Sequence, residues 1–293
     1  MKYAVNYNKN FRYFDEVDEI VLNEWMGSDS IIEFVPTIAK ENQKVLIDAA
    51  AMSVTDLEER VPALNMLRKS HSNILLQINL FTQKEVIQIL KDNEIPYMFI
   101  NKCRDFDTFV TMRDLGAEDI YIVEGLGFKL KALAKVKDNM RIRVFPDVAQ
   151  SAQGCSEIKD ITKFFIRPED TKFYEDIVDV FEIYRNDDRE SVVYDIYRNQ
   201  KWMGDLKDLI MYFNTSVQNN TIYPNFGQER LNCGKKCSLD KCYFCTAIQL
   251  FSQKAVAAGL RINTPKVKRE IPKEEKEEIL NEIKGYADEI TTD

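Results

Sequence analysis

Hydrophobic and polar positions follow two rhythms along the first 186 residues. Short runs rich in Ile, Val, Leu, Phe and Tyr read as strands, and the longer stretches between them return apolar residues at helical spacing. The predicted strands are EIVLN (19–23), KVLIDA (44–49), NILLQIN (73–79), IPYMFIN (95–101), EDIYIV (118–123), MRIRVFP (140–146), TKFFIRP (162–168) and VFEIYR (180–185). Helices are expected to begin near Asp29, Thr55, Thr82, Asp105, Leu126, Ser156 and Asp170. Thr82 followed by Glu85, and Ser53 or Thr55 before the run at Asp56, supply N-capping chemistry.

Strands that alternate with helices at near-regular spacing predict an α/β fold with a parallel sheet, and eight is the closure number of the (β/α)₈, TIM-like barrel. An open doubly wound sheet is the rival. No G-x-G-x-x-G follows the first predicted strand, which counts against a dinucleotide fold, and GLG at 125–127 is too short to signal one.

After residue 186 the texture changes. Polar NDDRES leads to a helix-like segment, then to a loop-rich piece and a cysteine cluster, and the chain ends in the charged KVKREIPKEEKEEILNEIKGYADEITTD. The reading is a barrel over 1–186 and an extension over 187–293, with a four-cysteine metal module and a charged terminal helix.

In such a barrel, ligand-binding residues sit at the C-terminal ends of the strands. There the sequence places Asp48, Gln77, Asn79, Asn101, Lys102, Glu124, Arg167 and Glu169, with Arg143 in the sixth predicted strand. Alternation sets Gln77 and Asn79 on one face of their strand, Asp48 with Leu46, and Asn101 with Phe99 and Tyr97. The wider ring adds Asp147, Asp170, Glu182 and Arg185. Burying these groups unpaired costs several kcal/mol in total, so they must pair with one another, with water or with a ligand. Arg167 with Asp48 or Glu169 is one expected pair. Arg143, Arg167 and Lys102 suit a polar, even anionic, small molecule.

Four of the six cysteines fall within thirteen residues, as Cys233-GKK-Cys237-SLDK-Cys242-YF-Cys245. Thiolates are soft ligands, and four of them complete a tetrahedral zinc site or hold a 4Fe-4S cubane. Lys235, Lys236 and Lys241 offset the thiolate charge. The spacing fits neither the ferredoxin run nor the common paired zinc knuckles, so zinc and iron–sulfur stay open. Cys103 and Cys155 stand apart and read as small buried residues.

Composition narrows the rest. Hydrophobic residues make up 45% and charged residues 30% of 293 residues, a globular balance. The net charge of −8 disfavours broad binding to RNA, although lysines beside the cysteines keep RNA open. No apolar run reaches the ~20 residues of a membrane span, and the N-terminus lacks a signal-peptide core, so a cytoplasmic chain is expected. His71 is the only histidine and lies in the turn before a strand, which argues against Ser-His-Asp and histidine-based zinc hydrolases.

The stretches GAEDIYIVEGLGFKLKAL, MRIRVFPDVAQSA and KFFIRPEDTKFYEDI resemble the collagenase-like peptidase family of unknown catalytic type. That resemblance implies a barrel-like fold. Several members carry a four-cysteine iron–sulfur cluster and act in hydroxylation of transfer RNA, ribosomal RNA or a quinone precursor. The family's own cysteine-containing signature is missing here, so no catalytic residue is carried over. The resemblance tilts the metal towards iron–sulfur. Two functions follow: an enzyme acting on a polar small molecule or nucleic-acid base with an iron–sulfur cluster, or a non-catalytic binding or structural protein with a zinc-stapled C-terminal module.

Overall fold

Short strands buried on both faces cannot stand at a sheet edge, and here no edge is left. In a computed structural model, which describes residues 2–23, 28–103, 105–122, 130–147, 165–185, 187–210, 218–222 and 226–231, eight parallel strands close into a barrel in chain order. They are β1 (Lys2–Asn6), β2 (Glu19–Leu22), β3 (Lys44–Asp48), β4 (Ile74–Ile78), β5 (Tyr97–Cys103), β6 (Asp119–Ile122), β7 (Arg141–Val144) and β8 (Val180–Ile183). β8 closes on β1 with Ala4 opposite Glu182. The expected (β/α)₈ barrel is the observed fold.

Around the ring lie α1 (Ser28–Ile38), α2 (Val54–Ser70), α3 (Lys84–Asp92), α4 (Phe106–Asp114) and α5 (Leu130–Val136). Ser53 caps α2 in a reciprocal box with Asp56, and Asp105 caps α4 by accepting from the Thr108 amide at 2.8 Å. Thr82 does not cap α3. Its hydroxyl instead accepts from the Asn79 amide at 3.0 Å and shapes the turn after β4. After β8 come α6 (Glu190–Arg198) and the short α7 (Phe226–Leu231). Tyr194, Tyr197, Leu206, Ile222 and Phe226 share one core with the outward faces of β1 to β4.

The count of eight holds, but one member of the predicted set gives way to a strand outside it. The chain's first strand is Lys2–Asn6, which the sequence reading passed over. The described part of TKFFIRP, residues 165–168, is not a wall strand: Phe165, Ile166 and Arg167 are buried without strand pairing, and β7 pairs directly with β8. Ile166 donates one backbone bond to Pro146, and Pro168 then opens a 3₁₀ turn over Pro168–Phe173. A short apolar run shows burial, and burial alone does not separate a strand from a packed connection.

The barrel interior is layered. Ala4, Val21, Leu46, Met98 and Val180 form its apolar middle, with Leu75 and Ile100 against them. Beside that layer stands Arg143, fully buried. Its guanidinium donates to Glu182 at 2.9 Å, to Asp119 at 3.0 Å and to Glu19. Arg141 pairs with Glu19 and Asp119 at the N-terminal end. Burial opposes the charge on Glu19, but the two guanidiniums outweigh it and bring its pKa down to about 2.

Removing one partner of such a cluster strands the others in a dry interior. Arg143→Met is expected to cost about 3–5 kcal/mol of stability in urea unfolding at neutral pH. The loss should shrink as the medium is acidified and the stranded carboxylates take up protons. Glu19 has a depressed folded pKa, so its contribution is present above the ordinary carboxylate range and fades as pH falls towards 2. A Glu19→Gln variant should therefore lose part of the acid-side slope of stability against pH.

Candidate functional site

Alternation along each strand decides what reaches the C-terminal mouth. Asn6, Asp48, Gln77, Lys102, Tyr121 and Glu182 share faces with residues of the inner layer and stand above it. Glu182 is the best-held of them. Its carboxylate accepts from the Asn6 amide at 2.8 Å, from the Tyr121 hydroxyl at 2.7 Å and from Arg143 at 2.9 Å. Burial pushes its pKa up, and these donors pull it only part of the way back. Asn23 extends the chain of contacts by bonding Asn6.

The mouth has two unlike walls. Asn6, Asn23, Asp48, Gln77, Asn79 and Lys102 make a polar side drawn from β1 to β5 and their loops. Opposite, Tyr121 stacks on Phe145 with ring centroids 4.8 Å apart, and Phe145 meets Tyr184 edge-on at 5.5 Å. Tyr184 is 40% exposed and so presents an aromatic face to solvent. Arg143 lies under Tyr121, 5.5 Å from the ring centroid.

The sequence-derived site residues separate on this frame. Gln77 is buried in the mouth, and its amide nitrogen has no hydrogen-bond partner. Asp48 and Asn79 each turn one oxygen back to the following loop, on Ala50 (2.9 Å) and Phe81 (2.7 Å). Lys102 is exposed.

Asn101 leaves the mouth. It shares its face with Tyr97 and Phe99, which pack outward, and it accepts from the Leu80 amide at 3.2 Å. Arg143 lies in the barrel centre, where carboxylates occupy both of its terminal nitrogens. Of the two partners expected for Arg167, Glu169 is present as an ion pair, but it is not the main one. The bidentate partner of Arg167 is Asp170, at 2.6 and 2.9 Å, with a Glu169 oxygen at 3.6 Å. Both Arg167 and Glu169 belong to the connection from β7 to β8.

Glu124, Cys155 and the four clustered cysteines Cys233, Cys237, Cys242 and Cys245 lie outside the described residues. Among the described residues, no group of three or more His, Cys, Asp or Glu side chains is placed to hold a metal ion. Cys103 is buried, donates to the Asp105 carbonyl at 3.0 Å, and has its thiol pKa pushed up to about 11 by burial. His71 caps the end of α2, with Nδ1 3.1 Å from the Ser70 hydroxyl, at the opposite end of the barrel from the mouth.

Two features escaped the sequence reading. Asn6 was missed with β1, and Asn23 ends the predicted strand EIVLN without being counted in the polar ring. The aromatic wall lies outside the polar ring because that ring gathers only charged and amide side chains, although Tyr121 and Tyr184 stand on the inward faces of their strands.

Behind the mouth lies a second group of acids. Asp147 and Glu190 are buried, and the donors nearest them, the Tyr184 backbone for Asp147 and the Asn8 side chain for Glu190, do not satisfy their four carboxylate oxygens in good geometry. Burial raises Asp147 to about 7, against the pull of Arg185, and raises Glu190 to about 9, with Asp147 and Asp187 adding to the rise.

No protein-family model and no curated protein matches this chain. Solved structures similar to it include 3-hexulose-6-phosphate synthase from Salmonella typhimurium, with 13% identity, a TM-score of 0.40, and 69% of this chain against 100% of that one. A glycerol uptake operon antiterminator-related protein from Thermotoga maritima follows at 11% and 0.35, over 66% of this chain and 99% of that one. A third, described as a glycerophosphoryl diester phosphodiesterase from Silicibacter pomeroyi, stands at 10% and 0.34, over 58% and 55%. The barrel assignment rests on the closed ring of parallel pairings. No helix among the described residues is long and apolar enough to cross a membrane.

The buried acids give a pH signature. Both folded pKa values lie above those of an unfolded chain, so the native state binds the extra protons. Their contribution to stability is full below the ordinary carboxylate range, falls as pH rises from there, and is lost by about 7 for Asp147 and about 9 for Glu190. Asp147→Asn and Glu190→Gln should each flatten this decline, raising the melting temperature near pH 9 while changing it little at or below about pH 4.

Proposed function

We propose that this chain is an enzyme whose barrel mouth binds a polar, ring-shaped small molecule or nucleic-acid base, served by a metal centre on Cys233, Cys237, Cys242 and Cys245. The observation that carries the ligand reading is the Gln77 amide nitrogen, buried and unpartnered inside a mouth walled on its other side by Tyr121, Phe145 and Tyr184. A buried donor without an acceptor costs about 1–3 kcal/mol, which a ligand oxygen or ring nitrogen would recover. Amide side chains offer donors and acceptors to the edge of a flat polar molecule, and an exposed tyrosine offers a stacking face.

The donor set of the cysteine segment fits a thiolate-bound metal. A 4Fe-4S cluster would supply electron transfer or substrate activation there. The barrel's own residues would do the rest. Gln77, Asp48 and Asn79 orient the ligand, Lys102 supplies the positive charge nearest to it, and Tyr184 excludes water from one face. Glu182, held by Asn6, Tyr121 and Arg143, forms the acidic floor beneath the ligand, and burial leads it to keep a proton to higher pH than an ordinary carboxylate.

Protein purified without oxygen is expected to be brown and to contain iron and acid-labile sulfide. A colourless protein with one equivalent of zinc would instead support the zinc-stapled binding protein. For the mouth, thermal-shift screening against nucleobases, nucleosides and sugars should find at least one class that raises the melting temperature of the wild type. Gln77→Leu and Tyr184→Ala should each weaken that response about tenfold in apparent affinity, in line with the loss of one buried hydrogen bond or one stacking face. A response identical in both variants would place the ligand elsewhere.

A further inference from the structure

Aromatic side chains left to solvent are not scattered over this molecule. Among the described residues the exposed ones are Phe81, Phe106 and Tyr184, and they follow the C-terminal ends of β4, β5 and β8. Single exposed apolar side chains are ordinary on a protein surface, but rings gathered at one end of a barrel mark a binding face.

Phe81 is the extreme case, 89% exposed in the turn between β4 and α3. That turn is nonetheless held firmly. The Asn79 side chain accepts from the Phe81 amide at 2.7 Å, and the Thr82 hydroxyl accepts from the Asn79 amide at 3.0 Å. The Asn101 side chain accepts from the Leu80 amide at 3.2 Å, and the Thr82 amide donates to the Asn79 carbonyl at 3.0 Å. The residues on either side fold in: Leu80 packs against the core that holds Phe109 and Ile122, and Thr82 is buried. The backbone is thus fixed and only the Phe81 ring is left out. An asparagine sets such a turn by itself, and nothing in the turn requires an aromatic residue two positions later.

β4 and β8 stand on opposite sides of the closed ring, so Phe81 and Tyr184 rise from opposite rims of the mouth. Eight strands about 4.8 Å apart and tilted about 36° make a ring roughly 15 Å across. One flat ring, stacked at about 3.5–4 Å on each face, bridges only about half of that. A ligand ring held against Tyr184 therefore leaves Phe81 uncovered unless the ligand carries a second ring.

We propose that Phe81 is a second stacking platform of the mouth, and that the ligand belongs to a class with two flat rings joined by a polar, anionic linker, as in a dinucleoside phosphate. This rests on the reading that the mouth binds a polar ring at Tyr184 and Gln77. The inner ring lies in the mouth, and the outer ring covers Phe81 on the rim above Gln77. Lys102, exposed on the neighbouring β5, is the positive charge on the Phe81 side and meets the linker between them. Stacking accepts any flat face, so the outer ring is less strictly selected than the inner one.

The test uses the full chain, as wild type, Phe81→Ala, Phe81→Tyr, Tyr184→Ala and Gln77→Leu. Equilibrium binding is measured for the common ribonucleosides and for their 3′,5′- and 5′,5′-linked dinucleoside phosphates, with thermal melting alongside. A side chain so exposed contributes little to the fold, so Phe81→Ala should melt with the wild type. The wild type is expected to bind at least one dinucleoside phosphate about tenfold more tightly than either component nucleoside. Phe81→Ala should abolish that gain and leave nucleoside binding unchanged, whereas Phe81→Tyr should keep it. The preferred linkage then tells whether the second ring comes from a strand end or from a 5′,5′-linked dinucleotide. Dinucleoside phosphates bound no more tightly than nucleosides by the wild type, or an undiminished gain in Phe81→Ala, would overturn the second platform. The mouth reading would still stand if Tyr184→Ala and Gln77→Leu weakened nucleoside binding. Equal weakening of nucleosides and dinucleoside phosphates by Phe81→Ala would mean one ring held between both faces and would overturn the two-ring class. Binding untouched by Tyr184→Ala and Gln77→Leu would overturn the mouth reading and this proposal together.

Discussion

A guanidinium in the middle of a parallel barrel organises the rest of this molecule. Arg143 stands beside an otherwise apolar layer and draws Glu19, Asp119 and Glu182 from three other strands. Ion pairs taken out of water contribute little net stability over well-packed apolar residues, so the cluster is better understood as specifying an arrangement than as the source of the fold's stability. It fixes which residues of β2, β6, β7 and β8 face inward. It also sets an asymmetry along the barrel axis. Below it, Glu19, Asp119 and Arg141 close the N-terminal end with charge. Above it, the Glu182 carboxylate rises into the mouth.

That carboxylate links the fold to the candidate site. Three carboxylates surround two guanidiniums, so the cluster carries more negative than positive charge. Glu19 meets both arginines and has its pKa lowered, whereas Glu182 meets one and has its pKa raised. Burial dominates at Glu182, so of these two carboxylates the one that holds its proton to higher pH is the one facing the mouth. Tyr121 bonds the same carboxylate and also begins the aromatic wall, which couples the stacking surface to the charge below it.

Much of this was legible in the sequence, and the failures have physical causes. Seven of the eight wall strands follow from apolar runs separated by helical stretches, and the barrel follows from their number. The eighth was mistaken because KYAVN, only five residues long and followed by polar asparagines, has a weaker signal than FFI in TKFFIRP. Burial is what the run in TKFFIRP reports, and Phe165 and Ile166 are indeed buried, but in a connection. Gln77, Asp48, Asn79 and Lys102 were found because they end strands on the inward face. Asn101 sits at the same height and was included, although its grouping with Tyr97 and Phe99 already placed it on the other face. Arg143 was recognised as too costly to bury unpaired; its partners were not, because Glu19 and Asp119 come from strand beginnings that a search of strand ends does not visit.

The overlooked strand is also the one on which the mouth depends. β1 pairs with β8 to close the barrel, and that closure sets Ala4 opposite Glu182 and brings Asn6 within 2.8 Å of its carboxylate. Without Asn6, the oxygen of Glu182 that Arg143 and Tyr121 do not reach would be buried unsatisfied, at a cost comparable to a lost hydrogen bond. In an open sheet ordered otherwise, that carboxylate would need water and could not form a dry floor. The contact that ends the sheet's edges and the contact that completes the mouth are therefore the same pair of strands. Any loosening at the β1–β8 seam should be felt first at Glu182, before the apolar layer of Ala4, Val21, Leu46, Met98 and Val180 is disturbed.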